Sequence, residues 1–141
     1  MGQKVNPAGL RLGINKDWTA KWYAPSKDFS ATLENDMKIR NFLDKKLKNA
    51  AVSSVTIERS NKKTEIKIST AKPGVVIGHG GEEIEKLKKQ INKLVGEEVQ
   101  ISIMEVKNAD MDAQLVATTL LAKLKTEVHI VWLKKEQLEI Q

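Results

Sequence analysis

The sequence contains no cysteine and only two histidines, His79 and His129, among its 141 residues. The absence of cysteine excludes disulfide scaffolds, thiol catalysis and cysteine-based zinc sites, and it is typical of proteins of a reducing cytoplasm. Two histidines are too few for a histidine-built metal site, so we expect no metal and no other cofactor. No apolar run approaches the roughly 20 residues of a membrane helix, and the first 13 residues lack the apolar region of a secretory signal. We therefore expect a cytoplasmic protein with no membrane partner.

The charge of the chain is moderately basic. Lysine and arginine number 24 against 18 acidic residues, which gives a net charge of +6. Hydrophobic residues make up 40% of the sequence, enough for the core of one domain. A surplus of this size serves solubility in many proteins and attracts polyanions such as nucleic acids in others. The position of the charges must decide between these two interpretations.

The first 29 residues have no helical or strand periodicity, and we interpret them as an extended arm. The arm has a surplus of three positive charges. It also contains Trp18, Trp22 and Tyr23, although it has little apolar surface of its own with which to bury them. Two anchors are possible for these aromatic residues. They can pack against a partner on which the arm becomes ordered, or against the domain that follows in the chain. The basic residues that we regard as candidate phosphate ligands are Lys4, Arg11, Lys16 and Lys21.

The remaining chain shows alternating helical and strand periodicities. Ser30 is the predicted N-cap of a first helix, with its basic residues, including Lys38 and Arg40, on an outer face. The apolar residues expected to form the inner face of this helix are Leu33, Met37, Phe42, Leu43 and Leu47. The predicted elements are helix 30–49, a hairpin of strands 52–59 and 64–70, a short buried turn 75–77, helix 81–96, strand 99–106, and a last helix from Asp110 or Asp112 to about Thr126.

A glycine loop, Gly78-His79-Gly80-Gly81, separates the short turn from the helix that follows. Glycines allow a close approach of the backbone to a ligand, and a helix N-terminus offers amide groups that suit phosphate. The loop lacks the Gly-Lys-Ser/Thr sequence of a nucleotide-binding P-loop, and no parallel strand leads into it as in a dinucleotide site. This Gly-x-x-Gly loop, placed between two helices that strands flank, resembles the loop of the K-homology domain, and the resemblance implies a clamp for a single-stranded nucleic-acid backbone.

This loop and its surroundings resemble the K-homology (KH) domain in its prokaryotic, type II arrangement. A second resemblance is carried by the segments Met1-Gly2-Gln3-Lys4-Val5-Asn6-Pro7, Gly9, Arg11-Leu12-Gly13, Trp22-Tyr23, Lys38-Ile39-Arg40, Ile57-Glu58-Arg59, Lys72-Pro73-Gly74 and Asp112-Ala113-Gln114-Leu115-Val116-Ala117. In these segments the chain resembles the bacterial small-subunit ribosomal protein S-three family.

The resemblance implies an α+β fold in which helices pack on a three-stranded sheet. It also implies an extended arm (1–29), a type II KH domain (30–107), a helix that opens the family's second domain (108–127) and a divergent tail (128–141). The implied function is that of a structural protein of the small-subunit head, near the side where mRNA enters. The implied partners are 16S rRNA, the neighbouring proteins S-ten and S-fourteen, and mRNA.

The resemblance implies RNA contacts from the arm and from the loop. The candidate RNA-binding residues are Lys4, Arg11, Lys16, Lys21, Lys72, Gly78, His79, Gly80 and Gly81. The family often has lysines at the two central positions of the loop, where this chain has His79 and Gly80. A loop that serves only as a structural turn is therefore an equally open interpretation, and we expect the arm to contribute more to RNA binding.

The chain diverges from the family pattern near Val128. Val131 and Trp132 stand where the family has arginines linked to contact with incoming mRNA, and only Lys135 keeps its charge. The resemblance therefore does not imply an mRNA-unwinding role for this chain. We hypothesise a coding-frame shift near Val128, because codons moved by one base can spell a sequence closer to the family. The alternative is a genuine short variant whose apolar tail packs on the last helix.

Three classes of function compete for this sequence. The first is a structural ribosomal protein, which the arm favours. The second is a free-standing KH factor that binds RNA, for which we would expect a basic pair in the loop and no aromatic arm. The third is an enzyme, for which the sequence offers no nucleophile, no paired carboxylates and no metal cluster. We therefore predict a non-enzymatic protein.

Overall fold

The computed structural model describes residues 2–60 and 63–138, with side chains described in these ranges up to residue 125. The helices are α1 (Pro7–Arg11), α2 (Ser26–Lys46), α3 (Pro73–Ile77), α4 (Glu82–Val95) and α5 (Ala113–Leu138). The strands are β1 (Ala20–Lys21), β2 (Val52–Ser60), β3 (Lys63–Thr70) and β4 (Val99–Glu105). Single turns of 3₁₀ helix lie at His79–Gly81 and Ala109–Met111.

The four strands form one mixed sheet in the order β1-β2-β3-β4. The hairpin of β2 and β3 is antiparallel and aligns Ile57 with Ile66. β4 joins β3 in parallel, with Ile66 opposite Ile101. β1 lies parallel to β2 at the other edge, with Ala20 opposite Ile57. The expected sheet of three strands is therefore wrong by one, because two residues of the arm pair with the outer edge of β2.

Helices α2, α3 and α4 pack on one face of this sheet and enclose the core. Alternate residues of β3 are buried, as expected for a strand with one face toward a core. The buried apolar residues of the core are Ile39, Leu43, Leu47, Ala50, Ile57, Ile66, Ile68, Val76, Leu87, Ile91 and Val99. The α+β class, the hairpin, α4 and β4 that the sequence predicts are thus confirmed.

α2 differs from its prediction at its beginning and along its buried face. It begins at Ser26 instead of Ser30, because Pro25 has the extended backbone of an N-cap residue. Its buried residues are Asp36, Ile39 and Leu43, spaced by three and four positions. Leu33 and Met37, which were expected inside, are 44% and 57% exposed. A carboxylate therefore occupies the place in the interior where the sequence pattern predicted methionine.

The short turn before the glycine loop is confirmed as α3, but only one of its three apolar residues is buried. Val76 is 1% exposed, whereas Val75 and Ile77 are 54% and 39% exposed. α3 packs against α4 and contacts β4. A helix of five residues has only one inward position, which Val76 occupies.

α5 begins at a cap that the sequence predicts and extends beyond its predicted end. Asp112 Oδ1 accepts hydrogen bonds from the backbone N–H groups of Gln114 (2.9 Å) and Leu115 (3.2 Å), which makes Asp112, not Asp110, the cap. The helix continues to Leu138, past the predicted end at Thr126. The side chains of the divergent segment, including His129, Val131 and Trp132, lie outside the described residues, so both explanations of that segment stay hypotheses.

Candidate nucleic-acid interface

The second half of the arm is attached to the outer edge of β2. The backbone N–H of Ile57 donates to the carbonyl of Thr19 at 3.0 Å, which continues the sheet into β1. The Arg40 guanidinium donates to the carbonyls of Val55 (2.8 Å) and Thr19 (2.9 Å). Arg40 was expected on the basic outer face of its helix, and this expectation is wrong. Its charge instead holds the arm to the domain through backbone carbonyls.

The three aromatic residues of the arm have different surroundings. Trp22 Nε1 donates to Asp36 Oδ2 at 2.7 Å, and its ring lies against Phe29 with centroids 5.5 Å apart. Trp18 and Tyr23 remain 63% and 93% exposed. Of the two anchors that the sequence left open, Trp22 therefore uses the domain, while Trp18 and Tyr23 stay available to another molecule.

The four candidate phosphate ligands of the arm are all exposed: Lys4, Arg11, Lys16 and Lys21. Asn6 caps the one-turn helix α1, at the end of which Arg11 lies. Lys21 forms an ion pair with Asp17 and thereby holds the pKa of that carboxyl below its usual value. Both partners of this pair are well exposed, so an arriving phosphate can compete for Lys21 at little cost.

The glycine loop has a backbone geometry that requires glycine at Gly78. This residue has φ 72° and ψ −177°, a conformation almost restricted to glycine. A Cβ atom there would lie 2.6 Å from Cγ and 2.8 Å from Cβ of Glu83. Gly80, at φ 62° and ψ 11°, is left-handed but has open space around it. His79 and Gly80 are exposed, so the turn presents its backbone to solvent.

The charges close to the loop are mostly negative. Glu82 and Glu83 occupy the first turn of α4. Lys86 lies 3.5 Å from the carboxylate of Glu82 and 3.2 Å from that of Glu83, so its charge is shared by two acids. Lys72, at the start of α3, is exposed and is the candidate cation that precedes the loop. The loop therefore offers backbone amides to a phosphate, with little attraction from side-chain charge.

The arm and the loop lie at opposite edges of the sheet. The arm forms edge strand β1, whereas α3 and α4, which bound the loop, both contact edge strand β4. The sequence predicts RNA-binding residues in both segments, but the structure does not bring the two segments together. Among the residues that the structure describes, no three His, Asp or Glu side chains group as metal ligands would.

The sheet face that the helices leave uncovered carries paired charges. Lys67 lies 2.8 Å from the Glu58 carboxylate, and this hydrogen bond raises the pKa of Lys67. Ser102 donates to Glu65 at 2.8 Å. No aromatic residue lies in β2, β3 or β4 to stack on a base. This face therefore lacks the aromatic platform with which other sheets bind single-stranded RNA.

The hairpin, the glycine loop and the last strand described above lie in a segment of the sequence that matches a known family. Residues 38–111 match the model of the KH domain family. The chain belongs to the KH domain family. The matched segment begins within α2 and ends at the 3₁₀ turn before α5, so it contains the complete core and the glycine loop.

Curated relatives of this KH chain carry the name "Small ribosomal subunit protein uS3". The chain is 53% identical over 128 residues to that protein of Lacticaseibacillus paracasei, a match that covers 91% of this chain and 58% of the relative. It is 52% identical to the protein of Halalkalibacterium halodurans, with the same coverage. The protein of Desulforudis audaxviator is 53% identical, with 91% and 59% covered. The resemblance to the S-three family is confirmed, and the chain spans about 58% of the length of these relatives.

The sequence did not identify Asp36 and Arg59 as important for the interface. Arg59 donates to Asp36 Oδ1 from Nε (3.2 Å) and Nη2 (2.8 Å), and from Nη1 to Glu97 at 2.5 Å. We call Trp22, Asp36, Arg59 and Glu97 the Asp36 network. A carboxylate at an inward position of an amphipathic helix is the signal that could have found it, because a buried charge requires partners.

Proposed function

We propose that the chain is a structural RNA-binding protein of the small ribosomal subunit and acts without enzymatic chemistry. The KH match over residues 38–111 supports RNA binding, and the name of the relatives supports the ribosome as the place of action. In this proposal the chain works in the cytoplasm as part of the 30S particle. The observation that carries it is the joining of a KH domain to a basic arm that is docked but leaves its cations exposed.

The arm is the proposed principal contact with 16S rRNA. Its cations Lys4, Arg11, Lys16 and Lys21 meet phosphates, and this electrostatic contribution is long-ranged and dependent on salt. Trp18 and Tyr23 offer exposed rings on which unpaired bases can stack, a contact worth about 1–3 kcal/mol per base. Phosphate contacts and base stacking then come from the same segment, whose second half is already held by its contacts with the domain.

The glycine loop is the proposed secondary contact. Lys72, Gly78, His79, Gly80 and Gly81 approach an RNA backbone through main-chain amides. The acids Glu82 and Glu83 reduce the attraction for phosphate at this position. The loop therefore adds a short-range contact and little long-range electrostatic attraction.

The position within the particle follows from the resemblance and extends the proposal. We place the chain on the head of the small subunit, on the side where mRNA enters, beside proteins S-ten and S-fourteen. The same proposal includes contact with mRNA.

Sucrose-gradient sedimentation of cell extracts tests the proposed function against that of a free-standing KH factor. We expect the chain in the small-subunit fractions at one copy per particle, and we expect it to stay there after a wash in high salt. A predominant free pool at the top of the gradient would contradict the proposal and favour the free-standing factor.

A further inference from the structure

The Asp36 network joins the arm to the domain through one buried carboxylate. Asp36 is 3% exposed, and a charge buried to this extent is costly unless each oxygen has a partner. Oδ1 accepts from Arg59 of β2, and Oδ2 accepts from Trp22 of the arm. The domain therefore satisfies one oxygen of Asp36 and the arm satisfies the other. Detachment of the arm would leave that second oxygen without its donor.

Residues of the domain also fix the orientation of the Asp36 carboxylate. Arg59 reaches Glu97, at the turn before β4, with its Nη1 atom at 2.5 Å. Thr64 donates to the same Glu97 oxygen at 2.9 Å. Because these contacts hold the guanidinium, Asp36 presents Oδ2 to the position that the Trp22 indole occupies. The acceptor is thus preorganised for the arm.

Three further contacts of the arm lie next to Trp22. Thr19 accepts from Arg40 and from the Ile57 amide, and Lys21 pairs in register with Glu58. The contacts from Thr19 to Trp22 therefore fix the position of Lys21. They also fix the direction in which the preceding residues of the arm leave the domain. Ordering a segment before binding reduces the conformational entropy that is lost when RNA binds.

We propose that Trp22, Asp36 and Arg59 are positioning residues, which hold the arm docked on the KH domain and so present its cations to rRNA without contacting RNA themselves. The presentation of the cations rests on the proposed function, because rRNA is the ligand. The docking itself is a property of the free protein and is measured without RNA.

Hydrogen exchange at the Ile57 amide reports docking. The N–H groups of successive strand residues point to opposite edges, so Ile57 bonds to the arm while the amides of Thr56 and Glu58 point to β3. We expect Trp22→Phe, which removes the indole donor, to accelerate exchange at Ile57 by about tenfold, with Thr56 and Glu58 unchanged. The matched control is Trp18→Phe, at an exposed ring, which should leave all three amides unchanged.

Binding to a fragment of the 16S rRNA head domain, measured with the same variants, tests positioning. We expect Trp22→Phe to bind roughly fivefold more weakly with an unchanged salt dependence, since no arm cation is altered. Asp36→Asn is the second variant: it replaces one of the two carboxylate oxygens with an NH2 donor, so either Trp22 or Arg59 meets a donor instead of an acceptor, and exchange at Ile57 should again be faster.

Each result decides one part of the inference. Unchanged Ile57 exchange in Trp22→Phe would overturn the docking role, and faster exchange with wild-type affinity would overturn the positioning role. Weaker RNA binding by Trp22→Phe without faster exchange at Ile57 would mean that the Trp22 ring contacts RNA directly, which also contradicts positioning. Failure of the wild-type chain to bind the fragment would refute the proposed function, while exchange at Ile57 would still decide docking.

Discussion

The arm and the glycine loop divide between them the two properties that phosphate binding requires. The arm has the charge: its four candidate phosphate ligands are exposed, and one of them, Lys21, is paired with an acid that is itself exposed. The loop has the backbone geometry, with glycines at φ 72° and 62° before a helix N-terminus, but Glu82 and Glu83 lie beside it. The glycine loop therefore has the less favourable charge for phosphate, and the arm, which has no regular periodicity, has the more favourable charge.

The largest predicted effect concerns the charge of the arm. Changing Lys4, Arg11, Lys16 and Lys21 together to Gln should weaken rRNA binding by about 10- to 100-fold near 0.1 M salt. It should also reduce the slope of log K against log salt by roughly 3 units, because each phosphate contact releases a counterion. Filter binding across a series of salt concentrations measures both quantities.

The matched control for this variant removes the same number of charges from α4, the helix that follows the loop. Lys86, Lys88, Lys89 and Lys93 of α4 are all exposed, and their change to Gln leaves the arm intact. If the two quadruple variants lose equal affinity and equal slope, net charge alone matters and the distinction between arm and loop fails.

The next prediction concerns the shape of the loop. Gly78→Ala should lower the free energy of unfolding by about 2–3 kcal/mol, because the new Cβ atom meets Glu83 in a conformation that alanine avoids. Urea unfolding followed by circular dichroism measures this change. Gly80→Asn is the control and should cost less than about 1 kcal/mol, since asparagine adopts left-handed geometry in open space. An equally stable Gly78→Ala protein would contradict the described geometry.

A smaller effect is expected from charge in the loop. Gly80→Asp and Gly80→Asn have similar size and backbone preference, so their difference isolates one negative charge. We expect Asp to bind rRNA about two- to threefold more weakly than Asn, because the loop already has acids nearby. A difference above about tenfold would show that the loop is a principal phosphate site, which reverses the comparison.

The last prediction concerns Asp112, where the cap of α5 comes within electrostatic reach of the arm. Hydrogen bonds from Ser53 and from the amides of Leu115 and Gln114 lower the pKa of Asp112 below 3.8, and the charge of Lys16 adds to this. A lowered pKa means that the contribution to stability is complete above pH 3.8 and is lost as pH falls through the lower folded value.

Asp112→Ala should therefore cost about 1 kcal/mol of unfolding free energy at pH 6, and this difference should shrink as the pH falls below 3.8. Asp110→Ala, which removes an exposed neighbouring acid, is the control and should show no such change. Lys16→Gln should raise the pKa of Asp112 slightly, as NMR titration of the carboxyl can show. A pKa of Asp112 unaffected by Lys16 would place this part of the arm farther from α5.

The sequence predicts those parts of the fold whose signals are local. Alternation in residues 52–70 predicts the hairpin, and the spacing of Ile84, Leu87 and Ile91 with Gly96 predicts α4. The glycine loop is found from its glycines, and Asp112 is one of two caps that the sequence offers. Each of these elements is determined by residues that are neighbours in the chain.

The parts that the sequence misses depend on contacts between distant residues. β1 exists because Ala20 and Lys21 meet the edge of β2, a pairing that two residues cannot indicate by pattern. Arg40 resembles any surface cation until the carbonyls of Thr19 and Val55 lie beside it. Asp36 interrupts an apolar pattern, and its partners are 14 residues before it and 23 residues after it in the chain.

Incorporation into the small subunit tests the central claim, that the arm rather than the loop carries the affinity for rRNA. The quadruple arm variant and Gly80→Asp are each expressed beside the wild-type chain, and their share of the salt-washed small-subunit fractions is measured by mass spectrometry. The account predicts that the arm variant is depleted by at least about tenfold while Gly80→Asp competes nearly as well as wild type. Equal depletion of the two, or stronger depletion of Gly80→Asp, would contradict it.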